Sequence, residues 1–204
     1  MRLLPTLAAL SLLAACDQAL TKTPDYRPQD AGSVDRALCL LGFSAVPVTE
    51  VLTGHHLVEA VVNGRKGVFV LDTGANISTL HAPLAADYKL KPALGGLMPA
   101  VGVGVGGAQK AGVWTLDSLT IGGIAIRQTR MMTADLTPVV RMLSPLAPGK
   151  RVDGIIGQDV MKEHRGVIDV AKPILYLIAE DKDPAPVDAA ESCTGGAAAA
   201  SGTE

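Results

Sequence analysis

Apolar and polar positions fall into short alternating runs broken by glycine and proline. His56–Gly64 (H-L-V-E-A-V-V-N-G) alternates and ends in Asn63-Gly64, the pattern of a strand running into a two-residue hairpin turn. After Arg65–Gly67 the run Val68–Leu71 (V-F-V-L) is apolar without a break, which describes a strand buried on both faces. Ala82–Asp87 has helical spacing, with His81 at its start. Gln109–Leu119 is strand-like, and Leu116–Ile126 holds a second hairpin turning at Gly122-Gly123, with strand continuing over Ile124–Ala134. Leu136–Arg151 reads as a Pro-punctuated loop. Val152–Asp159 (V-D-G-I-I-G-Q-D) is an apolar strand leading into a short helical pattern, V-M-K-E-H. Gly166–Val170 and Ile174–Ile178 pair across Ala171–Pro173. Near the start, Val34–Phe43 is spaced as one short helix.

Composition sharpens this into an all-β expectation. Aromatic residues are only 3 %, so the core must be built from Val, Ile, Leu and Ala, while 22 glycines and 13 prolines punctuate many short strands. The formal net charge is −2, and there is no basic run or aromatic-basic stripe, which argues against a nucleic-acid partner.

The chemistry is concentrated where the buried strand ends. Val68–Leu71 delivers Asp72 directly into Thr73 and Gly74. A carboxylate at that depth must be paired, hydrogen-bonded or partly neutralised, as an acid or base catalyst is. The plainer alternative is an aspartate that starts a turn. Other chemistries lack their residues: there is no G-x-S-x-G elbow, no H-E-x-x-H and no C-x-x-C. His55 and His56 are adjacent, so on a strand they point to opposite faces and make a poor shared metal site. Gly102–Gly107 (G-V-G-V-G-G) looks like a dinucleotide loop but is followed by strand rather than helix, so it reads as a glycine-rich hairpin tip. No cofactor or metal is expected.

Asp72-Thr73-Gly74 after an apolar strand, and Gly154-Ile155-Ile156-Gly157 before a short helix about eighty residues later, together resemble a retropepsin-like aspartic protease over roughly Gly54 to Ile178. The resemblance implies an all-β fold, a closed or partly open β-barrel with a flap hairpin and one short helix. Asp72 would be catalytic. Thr73, Gly74 and Ala75 would support the dyad, with Thr73 bonding across the interface and Gly74 allowing close approach. Gly104, Val105, Gly106 and Gly107 would form the tip of a flap spanning about Ala100–Thr115. Ala75 stands where pepsins usually carry Ser or Thr, and losing that donor implies activity at milder pH than theirs. Catalysis of this type needs two carboxylates sharing a proton. No second Asp-Thr-Gly or Asp-Ser-Gly occurs, so the partner is a second Asp72 across a two-fold axis, and a homodimer acting on peptide or protein substrate is implied. The rival reading is a catalytically silent lipoprotein that uses this fold to bind peptides. In retropepsins terminal strands form the dimer sheet; here a tail follows Ile178.

Both ends read as extensions. Residues 1–15 have the form of a signal peptide, and Leu13-Ala14-Ala15-Cys16 resembles the lipobox of bacterial lipoproteins, which implies acylation of Cys16, export to a bacterial periplasm and membrane attachment through lipid. Residues 16–50 then form a tether with the short helix, 51–180 the protease domain, and 181–204 a flexible tail. Cys39 and Cys193 either form one disulfide in that oxidising location or remain two thiols.

Overall fold

The computed structural model describes residues 21–22, 25–93, 99–104, 107–179 and 193. Cys16, the expected signal peptide at residues 1–15, Val105, Gly106 and the expected tail apart from Cys193 lie outside the described residues.

After β1 (Thr21–Lys22), helix α1 (Val34–Leu40) is capped by Ser33, whose hydroxyl accepts from the Arg36 N–H at 3.0 Å. Then come β2 (Phe43–Pro47), β3 (Thr49–Val51), β4 (His56–Val62) and β5 (Arg65–Leu71). The β4–β5 turn places Asn63 at φ 50° and Gly64 at φ 81°, the left-handed pair that a tight hairpin with right-handed strand twist requires. The Asn63 side chain ties this turn to its surroundings, donating to the Tyr88 carbonyl and accepting from the N–H groups of Asp117 and Ser118. Six more strands follow: β6 (Thr79–His81), β7 (Lys91–Pro92), β8 (Pro99–Gly104), β9 (Gly107–Thr115), β10 (Leu119–Ile121) and β11 (Ile124–Ala125). The chain ends with β12 (Arg130–Ala134), α2 (Thr137–Leu143), β13 (Gly154–Ile156), α3 (Gln158–Glu163), β14 (Val167–Asp169) and β15 (Ile174–Ile178).

The fold is mostly β-sheet. The larger sheet runs β1-β3-β4-β5-β13-β6-β12-β9-β7, with β10 and β11 branching from β4 and β8 pairing with β9; it stays open, without the barrel closure the resemblance allowed. Within it β13 lies parallel to β5 and antiparallel to β6. Alternate residues of β5 feed two cores. Phe69 and Leu71 join Val58, Leu80, Ile156 and Leu177 on one side, while Val70 meets Leu57, Leu143 and Val152 on the other. Each such side chain, once buried, contributes about 1.5–3 kcal/mol.

Helix α2 corrects the expectation of a loop over Leu136–Arg151, whereas α1 and α3 fall on the two short helical patterns read at Val34–Phe43 and after Asp159. Pro138 stands in the first turn, where its missing N–H is harmless, and Val139, Leu143 and Leu146 turn inward at helical spacing. Ala82–Leu84 is a single 3-10 turn rather than the start of an α-helix.

The smaller sheet has the order β14-β15-β2, and all five residues of β15 are buried. Phe43–Pro47, in the stretch expected to be tether and helix, is thus a strand paired along the whole of β15. One face of this sheet joins the main core through Leu175 and Leu177. The other carries Phe43, Ile174, Tyr176 and Ile178 under Tyr26 and Leu38. Asp35 is fully buried there; it accepts hydrogen bonds from the Tyr176 hydroxyl (2.5 Å), Lys172 Nζ (2.9 Å) and the Arg27 N–H (2.7 Å). A disulfide joins Cys39 of α1 to Cys193, closing a span of 154 residues.

Burial by itself pushes the Asp35 carboxyl up, but the bonds from Tyr176, Lys172 and Arg27 outweigh it, and its pKa lies below the ordinary 3.8. A lowered carboxylate stabilises the fold fully above its unfolded-state value and loses that contribution as pH falls through the folded-state value. Asp35→Asn is therefore expected to destabilise the protein by about 1–3 kcal/mol near neutrality. In urea titrations at stepped pH, the gap between wild type and variant should narrow below about pH 4.

Candidate active site

Asp72 leaves β5 with its N–H bonded to the Ile156 carbonyl of β13 at 3.0 Å. The chain then turns: the Ala75 N–H reaches the Asp72 carbonyl, and the Gly74 N–H donates to Asp72 Oδ1 at 2.8 Å. Asp72 is half-buried, and Thr73, Gly74, Asn76 and Ile77 are exposed around it. Its Oδ2 takes no hydrogen bond among the described residues, and neither does the Thr73 hydroxyl. The strand that delivers the carboxylate is deep in the core, but the carboxylate itself is presented at the surface with one oxygen open.

Three residues absent from the expected site hold this loop. Ser78, fully buried at its far end, donates its N–H to Asp159 Oδ2 (2.9 Å) and its hydroxyl to Asp159 Oδ1 (2.7 Å), and the same hydroxyl accepts from the Gly157 N–H (2.9 Å). Gln158 donates its side-chain amide to the Thr73 carbonyl and its backbone N–H to the Ala75 carbonyl (2.8 Å). The start of α3 is thereby laced to both halves of the loop. This needs a very close approach, because a Cβ on Gly157 would stand 2.7 Å from the Ala75 carbonyl oxygen and 3.0 Å from Ile77. Sequence spacing gives Gly157 as part of a motif; that Gln158 and Asp159 turn back toward the loop depends on the strand crossing beside it.

Gly154, Ile155 and Ile156 form β13, in register with Phe69, Val70 and Leu71. Asp153, just before it, is wholly buried. Its N–H donates to the Val68 carbonyl (2.7 Å), its Oδ2 accepts from the Val68 N–H (2.9 Å), and Arg151 Nε donates to Oδ1. Burial, with Asp153 nearby, pushes the Tyr88 hydroxyl up to about 12. This aspartate locks β13 in place and takes no part in presenting Asp72. His164 is also fully buried, with Nε2 accepting from the Arg127 N–H and Nδ1 bonded to the Ile178 carbonyl, a packed structural role.

The expected flap is a β8–β9 hairpin in which Gly104 pairs with Gly107; Val105 and Gly106 between them lie outside the described residues. Ala75 contributes only backbone to the site, as donor to Asp72 and acceptor from Gln158. Among the described residues no three His, Cys, Asp or Glu side chains come together as a metal site, and no helix is long and apolar enough to cross a membrane.

The profile of a family described as aspartyl protease matches residues 58–160, which include Asp72, the β8–β9 hairpin and β13. Among solved structures the chain is similar to a retropepsin-like aspartic protease from Rickettsia conorii, at 22 % identity and a TM-score of 0.45, covering 66 % of this chain and 98 % of that one. It is also similar to the retroviral protease-like domain of Ddi1 from Leishmania major, at 20 % identity and a TM-score of 0.39, covering 64 % and 90 %. A third is EIAV protease complexed with the inhibitor HBY-793, at 22 % identity and a TM-score of 0.37, covering 54 % and 88 %. No curated protein matches the chain.

The bonds to Asp159 are charge-assisted, each worth about 1.5–3 kcal/mol. Asp159→Ala should leave β13 paired but free the loop end. Hydrogen exchange is expected to speed up by tenfold or more at the Ser78 and Gly157 amides, with little change at Leu71 and Ile156.

Proposed function

Because the chain belongs to the aspartyl protease family, we propose that it is an endopeptidase of retropepsin type, completed when two copies bring their Asp72 side chains together. The observation that carries this is the Asp72 carboxylate itself, held on one oxygen by the Gly74 N–H and open on the other, at the surface end of a core strand. A single carboxylate so placed is half of the required pair. Two of them in contact cannot both ionise, so they share one proton. The ionised member takes a proton from a water molecule as that water's oxygen bonds to the scissile carbonyl carbon. The protonated member hands its proton to the carbonyl oxygen. The tetrahedral intermediate then collapses: the C–N bond breaks, the amine leaves with the proton drawn from water, one hydroxyl of the intermediate returns its proton to the dyad as the acid product forms, and no covalent enzyme intermediate arises.

The protomers meet across the Asp72 loop. The unbonded Thr73 hydroxyl and the exposed Thr73–Gly74 turn support that surface. Strand β15 is a poor candidate for the shared sheet, since both its edges are taken by β14 and β2 of its own chain. The β8–β9 hairpin serves as the flap over bound peptide. Residues 51–180 would form the protease domain, although β2 at 43–47 is part of the same folded unit. Cys16 would carry lipid that anchors the protein to a membrane of the bacterial periplasm. The Cys39–Cys193 disulfide supports an oxidising, exported location. Surface confinement would raise the effective concentration of protomers and favour pairing.

Asp72→Asn should lower the rate of peptide hydrolysis by at least about 10²–10⁴-fold, with folding and peptide binding retained. The rate of the unlipidated wild type should rise with the square of protein concentration below the dimer dissociation constant, checked by sedimentation on the same samples. Equal inertness of wild type and variant across pH 3–8, with both binding peptide, would identify the silent peptide-binding lipoprotein instead.

A further inference from the structure

Beside the Asp72 loop, three strands make an outward-facing platform. Met132 of β12 is in register with Thr79 of β6 on one side and Val113 of β9 on the other, and Arg130 is in register with Thr115. Extending the parallel β6–β12 register by two residues brings Ile77, just past the catalytic turn, beside Arg130. Along β12 the burial alternates: Met131 and Thr133 turn into the core, while Arg130 and Met132 turn outward. The result is a groove of about 400 Å³ with an apolar floor of Ile77, Val113, Met132 and part of Met131, and with Gln128, Arg130 and Asp159 as its polar lining.

The charges in this groove are unequally satisfied. Asp159 has four donors on its two oxygens: the Ser78 hydroxyl, the Ser78 N–H, the Val160 N–H and the Gln128 amide, at 2.7–3.0 Å. It has little capacity left for a cation. Arg130 is exposed and makes no hydrogen bond or ion pair among the described residues. On β7, on the far side of β9 from Arg130, Lys91 is held by Asp117 at 3.0 Å. Among the described residues that line the groove, the charged group left without a partner is therefore a guanidinium, a planar donor matched to a carboxylate.

We propose that this groove is a specificity subsite that takes an acidic side chain of the peptide, glutamate better than aspartate, with its carboxylate on Arg130. Glutamate's two methylenes cover Ile77 and Met132 as its carboxylate reaches Arg130, whereas aspartate is too short to do both. The inference rests on the endopeptidase reading for its ligand, a peptide lying along the Asp72 loop. It goes further in naming the sequence class selected and the residue that selects it.

The test uses the full-length Asp72→Asn protein, so that bound peptide is not consumed, and three fluorescent peptide pools with glutamate, alanine or lysine fixed at each position in turn. At one position the glutamate pool should bind about tenfold more tightly than the alanine pool, as expected for a charged hydrogen bond, and the advantage should shrink at high salt. Arg130→Glu, an exposed change that leaves the core untouched, should reverse the preference at that position to lysine. Equal affinity for all three pools, or a glutamate preference unmoved by Arg130→Glu, would overturn the subsite. Cleavage-site profiling of the wild type separates the two readings. Hydrolysis with no acidic bias removes the subsite and keeps the protease, whereas glutamate-selective binding without hydrolysis keeps the subsite and removes the protease.

Discussion

Strand β13 lies between the two strands that bracket the Asp72 loop, and the position of the carboxylate depends on that threading. The loop leaves from β5 and returns into β6, and β13 pairs with the first over Gly154–Ile156 and with the second at Gly154 and Ile155. With its two ends fixed to one strand only three residues long, the turn has little freedom to move relative to the core. The start of α3 then reaches back through Gln158 and Asp159 to the carbonyls of Thr73 and Ala75 and to Ser78. A rigid backbone with one oxygen of Asp72 left open is the preorganisation a proton-transfer group needs, since reacting atoms displaced by an ångström lose much of their advantage.

Two buried aspartates support that arrangement from a distance, each by supplying acceptors where backbone pairing stops. Asp153 copies a strand residue, offering its N–H and its carboxylate to the two sides of Val68, and so continues the β13–β5 ladder by one step. Asp35 gathers a tyrosine, a lysine and a backbone N–H into a fully buried cluster that seats residues 25–40 on β15. Buried charges are tolerated only when their hydrogen-bonding capacity is filled, and both are filled here. Asp72, half-buried at the surface end of β5, instead keeps one oxygen without a hydrogen-bond partner among the described residues.

The smaller sheet bears on the proposed pairing of two copies. A terminal strand with a free edge offers its backbone to a partner; β15 has none, because β2 and β14 flank it and α1 lies over its face with the Cys39–Cys193 link. The chain satisfies in cis the backbone groups that a terminal strand would otherwise share. In the proposed pairing, a second carboxylate would be brought in across the exposed turn around Thr73 and Gly74.

Local patterns were legible where chemistry and structure coincide in a few adjacent residues. V-F-V-L before Asp72 could hardly be anything but a core strand, Asn63-Gly64 specified its hairpin by backbone conformation alone, and the two glycine motifs carried the family. Pro138 misled, because a proline that ends one helix also starts another, and only the packing of Val139 and Leu143 against Leu57 and Val70 shows which applies. Gln158, Asp159, Asp153 and Arg130 are ordinary polar residues in the sequence. Their roles come from contacts spanning 31 to 85 positions along the chain, or from a cross-strand register, and no local pattern records these. Residue order by itself determined which strand ends in the acid and how tightly the chain can turn there, since both follow from side-chain size and φ preference. Tertiary structure alone decided which partners fill each buried charge and that Arg130 lines a groove with no partner among the described residues, because those outcomes depend on distances that exist only once the strands are threaded.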